Sequence, residues 1–188
     1  TEGVAKLLPA YAGRLMQAEL EALQAALGSP SRPVVAIVGG AKVTDKIGVI
    51  DAFLARADTI LIGGAMCFPF FNAQGHDVGS SLCEEEGIEP AKRAIAEGGD
   101  KLVLPQDLTL GRAFSADTEV QSTGGVDVPD GWMGLDIGEK SREIFKGAVL
   151  KAKTPGVRYK GTYRIEVDKA RQLLLVNWGG SARWVFNT

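Results

Sequence analysis

Two short apolar runs in this chain each stop at a pair of glycines. Pro33-Val34-Val35-Ala36-Ile37-Val38 leads into Gly39-Gly40, and Thr59-Ile60-Leu61-Ile62 leads into Gly63-Gly64. A run without polar alternation has no face to offer to water, so each reads as a strand buried on both sides, which is parallel-sheet material. Between them, Ile47, Ile50, Phe53 and Leu54 share one side of a helix predicted from about Thr44 to Ala57, with Thr44 or Asp45 able to cap its start. Strand, glycine turn, helix and strand predict a right-handed crossover unit.

The rest of the chain extends this alternation. Val4, Leu7, Leu8, Tyr11, Leu15, Leu20, Leu23 and Leu27 recur at helical spacing, which predicts one helix from Thr1 to Leu27 that Gly28-Ser29-Pro30 ends. Ala65 to Ala73 reads as helical, with Pro69 placed in the first turn, where its missing N–H costs little. Ser81-Leu82-Cys83-Glu84 has capping-box spacing, and Pro90 to Ala96 forms a further short helix. Lys101 to Pro105 is read as a third strand, Gly134 to Gly138 as a fourth, and Ser141 to Lys153 as the last clear helix, with a polar, Gly-rich excursion over Arg112 to Pro129. Beyond Thr154 the texture changes. Tyr159 to Val167 and Gln172 to Trp178 look like two strands joined by a turn at Asp168-Lys169-Ala170-Arg171. The expected class is therefore α/β, a Rossmann-like doubly wound parallel sheet with an atypical C-terminal β-hairpin.

Composition narrows the functions open to such a fold. The 21 basic and 23 acidic residues of the 188 nearly cancel, which argues against a protein that grips nucleic acid through a basic surface. No apolar run approaches the roughly 18 to 20 residues that would cross a bilayer. The chain is thus expected to be cytoplasmic, with no nucleic-acid or membrane partner. Cys67 and Cys83 are the only cysteines and His76 the only histidine, which fits reduced thiols and leaves no metal cluster to assemble. The chain opens Thr1-Glu2-Gly3 without an initiator methionine, which suggests that further sequence precedes it.

In open parallel sheets, ligands gather beyond the carboxyl ends of the strands. Both Gly-Gly pairs lie at such ends, where glycine lets a ligand approach the backbone and leaves N–H groups free to meet an anion. The simpler alternative is that these glycines only make tight turns. The sharpest signal is Gly39-Gly40-Ala41-Lys42-Val43-Thr44-Asp45-Lys46. Two lysines at the start of a helix are disfavoured by its positive end by roughly 0.3–1 kcal/mol each, a penalty that a bound phosphate would reverse. If the helix starts early, spacing by four puts both ammonium groups on one face. The alternative is two solvated lysines with Asp45 as local counter-ion. The segment lacks the Gly-Lys-Ser/Thr of a P-loop and the Gly-x-Gly-x-x-Gly of a dinucleotide site.

Gly39-Gly-Ala-Lys-Val-Thr-Asp-Lys-Ile-Gly48, Leu61-Ile-Gly-Gly-Ala-Met66 and Asp130-Gly-Trp-Met-Gly-Leu-Asp-Ile-Gly138 together resemble the nucleotide-binding C-terminal domain of the phosphoglycerate kinase family. Thr1-Glu-Gly-Val-Ala5 is similar to that family's segment just after its N-terminal domain. The resemblance covers residues 1–154 and leaves 155–188 as a divergent tail. It implies reversible phosphoryl transfer between 1,3-bisphosphoglycerate and ADP, a step of glycolysis, with Mg²⁺ carried by the nucleotide. By the same resemblance, Lys42 would stabilise the phosphoryl group in flight and Lys46 would hold nucleotide phosphates. Gly40 and Ala41 would lie against the nucleotide, Gly63 and Gly64 would floor the adenine slot, and Leu82, Gly134 and Leu135 would cover the base. Ordinary core packing is the alternative for Leu82 and Leu135. No metal ligand is assigned to the chain, and a monomer is expected.

The resemblance has limits. The family's N-terminal domain, which holds 3-phosphoglycerate, has no counterpart in the chain. The family pattern should also continue with Trp-Asn-Gly-Pro, Gly-Val-Phe-Glu and a Gly-Gly-Gly-Asp-Thr phosphate loop. Asn177-Trp178-Gly179-Gly180 and Val185-Phe186 echo the first two only in scrambled order and carry no assigned role. The basic stretch Lys151, Lys153, Arg158 and Lys160 reads as a solvated face. Two readings follow: a nucleotide-binding lobe with little activity of its own, and a non-catalytic nucleotide-binding or scaffold module.

Overall fold

The computed structural model describes residues 2–9, 11–28 and 30–152, together with strands at 156–160, 164–168 and 174–177. Its centre is the pair β1 (Val35–Gly39) and β2 (Thr59–Gly63), which run parallel in a register that sets Gly39 beside Gly63. Helix α3 (Ile47–Leu54) makes the crossover between them. A two-residue strand, β3 (Leu102–Val103), extends the sheet on the far side of β2, after α4 (Cys67–Ala73) and α5 (Ile88–Gly98). Pro69 is the third residue of α4, inside the first turn as expected.

Both faces of this sheet are covered, which explains why its strands show no polar alternation. Val34, Ala36, Val38, Ile60 and Ile62 join one large core with Ile50 and Phe53 of α3, Phe68, Phe70 and Phe71 of α4, and Ala91 and Ala94 of α5. The alternate residues Val35 and Leu61 face the other way, onto Phe145 of α6 (Glu139–Lys151) and Ile137. The doubly wound α/β arrangement read from the sequence is the one observed.

Several elements depart from expectation. The N-terminal helix is two helices, α1 (Glu2–Leu7) and α2 (Arg14–Leu27). Pro9 accounts for the break, since proline lacks an N–H and disfavours helical geometry in the residue before it. Of the apolar stripe, Leu7, Leu8, Tyr11, Leu15 and Leu20 are exposed, as is the neighbouring Met16. Met133–Ile137, β6, is not a fourth parallel strand. It pairs antiparallel with β4 (Leu108–Gly111), which also pairs antiparallel with β5 (Val120–Ser122), in a separate three-stranded sheet.

The tail contains a hairpin in a different register from the one expected. Tyr159 to Val167 is not one strand. Instead β7 (Gly156–Lys160) pairs antiparallel with β8 (Arg164–Asp168). The second expected strand is β9 (Leu174–Asn177), which runs parallel to both β1 and β7 and lies between them, giving the order β3-β2-β1-β9-β7-β8. The predicted turn residues Lys169, Ala170 and Arg171, and Gln172, Leu173 and Trp178 of the second expected strand, lie outside the described residues.

Candidate functional site

The register of β1 and β2 brings the two glycine turns together. Gly64 has φ +69°, and a Cβ there would lie 2.9 Å from both the N and the O of Gly40. The turns also bond directly: the Met66 amide donates to the Gly40 carbonyl at 2.8 Å. Close backbone approach thus requires glycine at 64. Gly63 differs, because a Cβ on it would meet no atom within 4 Å. The volume over Gly63 is open, so glycine is not needed there for packing.

The segment after Gly40 separates the two lysines. Ala41 to Val43 is not helical, a short 3₁₀ turn spans Thr44–Lys46, and α3 starts only at Ile47. Lys42 is therefore an exposed loop residue, whereas Lys46 is almost fully buried, at 2% exposure. The expectation that they share one helical face fails because the helix begins one residue after the second lysine. The Lys46 ammonium donates back to the carbonyl of Gly39, at the end of β1. Burial lowers its pKa to about 8, with the nearby charge of Asp45 acting in the opposite direction. Lys46 thus clasps the first glycine turn from beneath while Lys42 faces solvent.

Neither Thr44 nor Asp45 caps this turn. Glu84 does, from forty residues downstream: Oε2 accepts from the amides of Val43 at 2.8 Å and Thr44 at 3.1 Å, and Oε1 accepts from the Thr44 hydroxyl at 2.6 Å. Burial pushes the Glu84 carboxyl up, but these donors and the charge on Lys42 outweigh it and hold the group below the usual carboxylate range. The capping box read at Ser81 to Glu84 is accordingly absent. Ser81 instead accepts the Gly134 amide at 2.9 Å, and α5 begins later, at Ile88.

The remaining candidates lie around this arrangement. Leu82, between the two anchored residues Ser81 and Glu84, is 64% exposed, so core packing does not account for it. Gly134 sits against α4, where a Cβ would fall 2.4 Å from Cζ of Phe68, and Leu135 is half-buried beside Gly111. Ser81 brings Gly134 into contact with the segment that reaches Lys42. The sequence offered Glu84 only as a local helix cap; its contact with the Lys42 loop was not legible, because the Val43 and Thr44 groups it accepts from lie about forty residues upstream. Among the described residues no group of three or more His, Cys, Asp and Glu side chains could hold a metal ion. Cys67 and Cys83 are free thiols.

Such a lobe is a doubly wound α/β unit with a glycine-lined, lysine-bearing edge at the carboxyl ends of its central strands. The family model for phosphoglycerate kinase matches residues 1–161. The chain is 48% identical over 151 residues to the phosphoglycerate kinase of Corynebacterium urealyticum, a match covering 80% of this chain and 38% of that protein. It is 50% identical over 157 residues to the one from Herpetosiphon aurantiacus, covering 82% and 40%. The structure of phosphoglycerate kinase from Coxiella burnetii superposes with a TM-score of 0.73 at 31% identity, over 77% of this chain and 38% of that one. The chain belongs to the phosphoglycerate kinase family. It spans about two fifths of the length of these relatives. Among the described residues no helix is long and apolar enough to cross a membrane.

Proposed function

We propose that residues 1–154 are the nucleotide-binding lobe of a phosphoglycerate kinase, with 155–188 a divergent tail, and that the lobe takes ADP or ATP at the edge formed by the two glycine turns. The observation that carries this is the open space over Gly63, set beside Gly39 in register, with Lys42 exposed three residues after Gly39 in the chain. A flat base needs such a floor, and phosphates need a cation with no buried partner to abandon. In the whole enzyme the reaction would be reversible phosphoryl transfer between 1,3-bisphosphoglycerate and ADP, a cytoplasmic glycolytic step. Lys42 would then face the equatorial oxygens of the moving phosphoryl group, where fixed positive charge does most for a loose transition state.

Lys46 has a more demanding role. Its ammonium spends one of three donors on the Gly39 carbonyl and is almost fully buried, so the turn above it must open for a phosphate to reach the remaining donors. Gly40 and Ala41 would line the phosphates, and Leu82, Gly134 and Leu135 would border the base. Mg²⁺ would come bound to the nucleotide, supplying charge neutralisation, since among the described residues no group of three or more His, Cys, Asp and Glu side chains could hold it. The 3-phosphoglycerate site would belong to sequence outside this chain.

Titration calorimetry with ADP tests the reading. Because Lys42 is exposed, Lys42→Ala leaves the core intact, and it is expected to weaken ADP binding by about tenfold or more. Equal affinity for wild type, Lys42→Ala and the Lys42→Ala, Lys46→Ala double variant would remove the lysines from the site. A crystal soaked with ADP is expected to show adenine over Gly63-Gly64 and phosphates toward Lys42.

A further inference from the structure

Glu84 presents a contradiction that its geometry resolves. Its carboxylate sits on the two amides that open the Thr44–Lys46 turn, the position an anion would take, and its charge reaches Lys42. As a charge alone it opposes phosphate binding at Lys42. Its two oxygens, however, are committed to three donors, the Val43 and Thr44 amides and the Thr44 hydroxyl, so it fixes the backbone of the residues that follow Lys42. The seat is closely packed. A Cβ at the buried Gly87 would lie 3.1 Å from Val43 Cβ and 3.2 Å from Glu84 Oε2, so there is little room beside the carboxylate for a side chain at 87.

The opposite end of the same segment is also anchored. Ser81 Oγ accepts the amide of Gly134, and the Ser80 amide donates to the Trp132 carbonyl at 2.8 Å. Residues 81–84 therefore tie two distant parts of the chain together, the Lys42 loop and the Gly134 strand, with exposed Leu82 between the knots.

We propose that Glu84 is a positioning residue for Lys42, and that the Ser81–Glu84 segment is a two-ended tie that sets the Lys42 loop, Leu82 and Gly134 in one fixed relation around the nucleotide. A second consequence concerns the phosphates. Since Glu84 occupies the amides of Val43 and Thr44, a phosphate at this turn is met by the lysine side chain and not by those two N–H groups. The proposal rests on the reading of this edge as a nucleotide site.

The test uses the full chain and two variants, Glu84→Ala and Glu84→Gln, with two measurements. In amide hydrogen exchange, Glu84→Ala is expected to lose protection at Val43 and Thr44 while Ile60, Leu61 and Ile62 of β2 keep theirs, which reports an intact fold. Glu84→Gln retains an acceptor for the amides, and the Thr44 hydroxyl can turn to accept from the new NH₂, so protection largely returns. Unchanged protection of Val43 and Thr44 in Glu84→Ala overturns the tie.

In ADP calorimetry, loss of positioning weakens binding by about tenfold in Glu84→Ala even though a negative charge has gone, and Glu84→Gln restores most of it. If both variants bind ADP more tightly than wild type, Glu84 acts by charge alone and the positioning role is wrong. If wild type binds no ADP, the nucleotide reading fails, and the Lys42-positioning role fails with it. The exchange data then still decide the tie itself.

Discussion

Lys46 carries the clearest conflict at the scale of a single residue, because an ammonium group that burial disfavours sits beneath the turn where a phosphate is proposed to bind. Its folded pKa of about 8 lies below its ordinary value of 10.5. Between those values the unfolded chain binds more protons than the folded one, so stability rises with pH across that window, and below about pH 8 the cost of the buried charge is present in full. Urea midpoints measured from about pH 7.5 to about pH 9.5 are expected to rise for the wild type and to rise less for Lys46→Met. Equal slopes would show that Lys46 is not the group responsible. The glycines separate fold from function in the same way. Gly64→Ala forces a side chain onto Gly40 at positive φ and is expected to destabilise by about 2–4 kcal/mol. Gly63→Ala fills only open space, so thermal denaturation should shift by less than about 1 kcal/mol while ADP binding weakens. The first glycine pair and the two lysines could be read together because they are close in the chain, whereas the approach of Gly63-Gly64 to them comes from the strand register. The difference in burial between the two lysines was not legible, since it depends on the loop and turn that precede α3, whose Val43 and Thr44 amides are held by Glu84 from a remote segment.

At the scale of elements, the same remoteness explains what was misread. Strands β1 and β2 are buried on both faces, and their composition says so locally. Strand β6 has a similar Gly-Leu-Asp-Ile texture but belongs to another sheet, and only its partners β4 and β5 reveal this. The junction between β4 and α6 is likewise written in two places. Asp107 accepts the amides of Lys140 at 2.9 Å and Ser141 at 2.7 Å, at the start of α6, and Ser141 Oγ donates back to its carboxylate. Ser141 in turn accepts the amides of Gln106 at 2.8 Å and Asp107 at 3.0 Å. A Cβ at Gly138 would strike this carboxylate at 2.2 Å, which fixes glycine there. Both side chains are buried, so removing one leaves the other's partners without water to replace it. Asp107→Ala and Ser141→Ala are each expected to cost about 2–3 kcal/mol in urea unfolding, and the double variant less than their sum. Strict additivity would mean that the two caps act independently.

At the scale of the whole molecule, the fold and the proposed reaction differ in what they require. Two covered sheet faces are enough to build a core, and the chain supplies them. Phosphoryl transfer requires more, because donor and acceptor must be held in line at near-contact distance, and much of an enzyme's advantage comes from that placement. The proposed glycine edge would offer one substrate a floor and a cation, and the chain spans only about two fifths of the length of its relatives. Binding and turnover should therefore separate in this chain. In a coupled assay with millimolar ADP and acyl phosphate, the 188 residues are expected to turn over below about a thousandth of the rate of a full-length relative, while calorimetry still detects ADP. Turnover near that of a full-length relative would show that the lobe recruits its second substrate from surfaces the lysine edge does not include. Absence of both binding and turnover would place the nucleotide's main contacts beyond this chain, and would leave the paired glycine turns as a device for packing two strands.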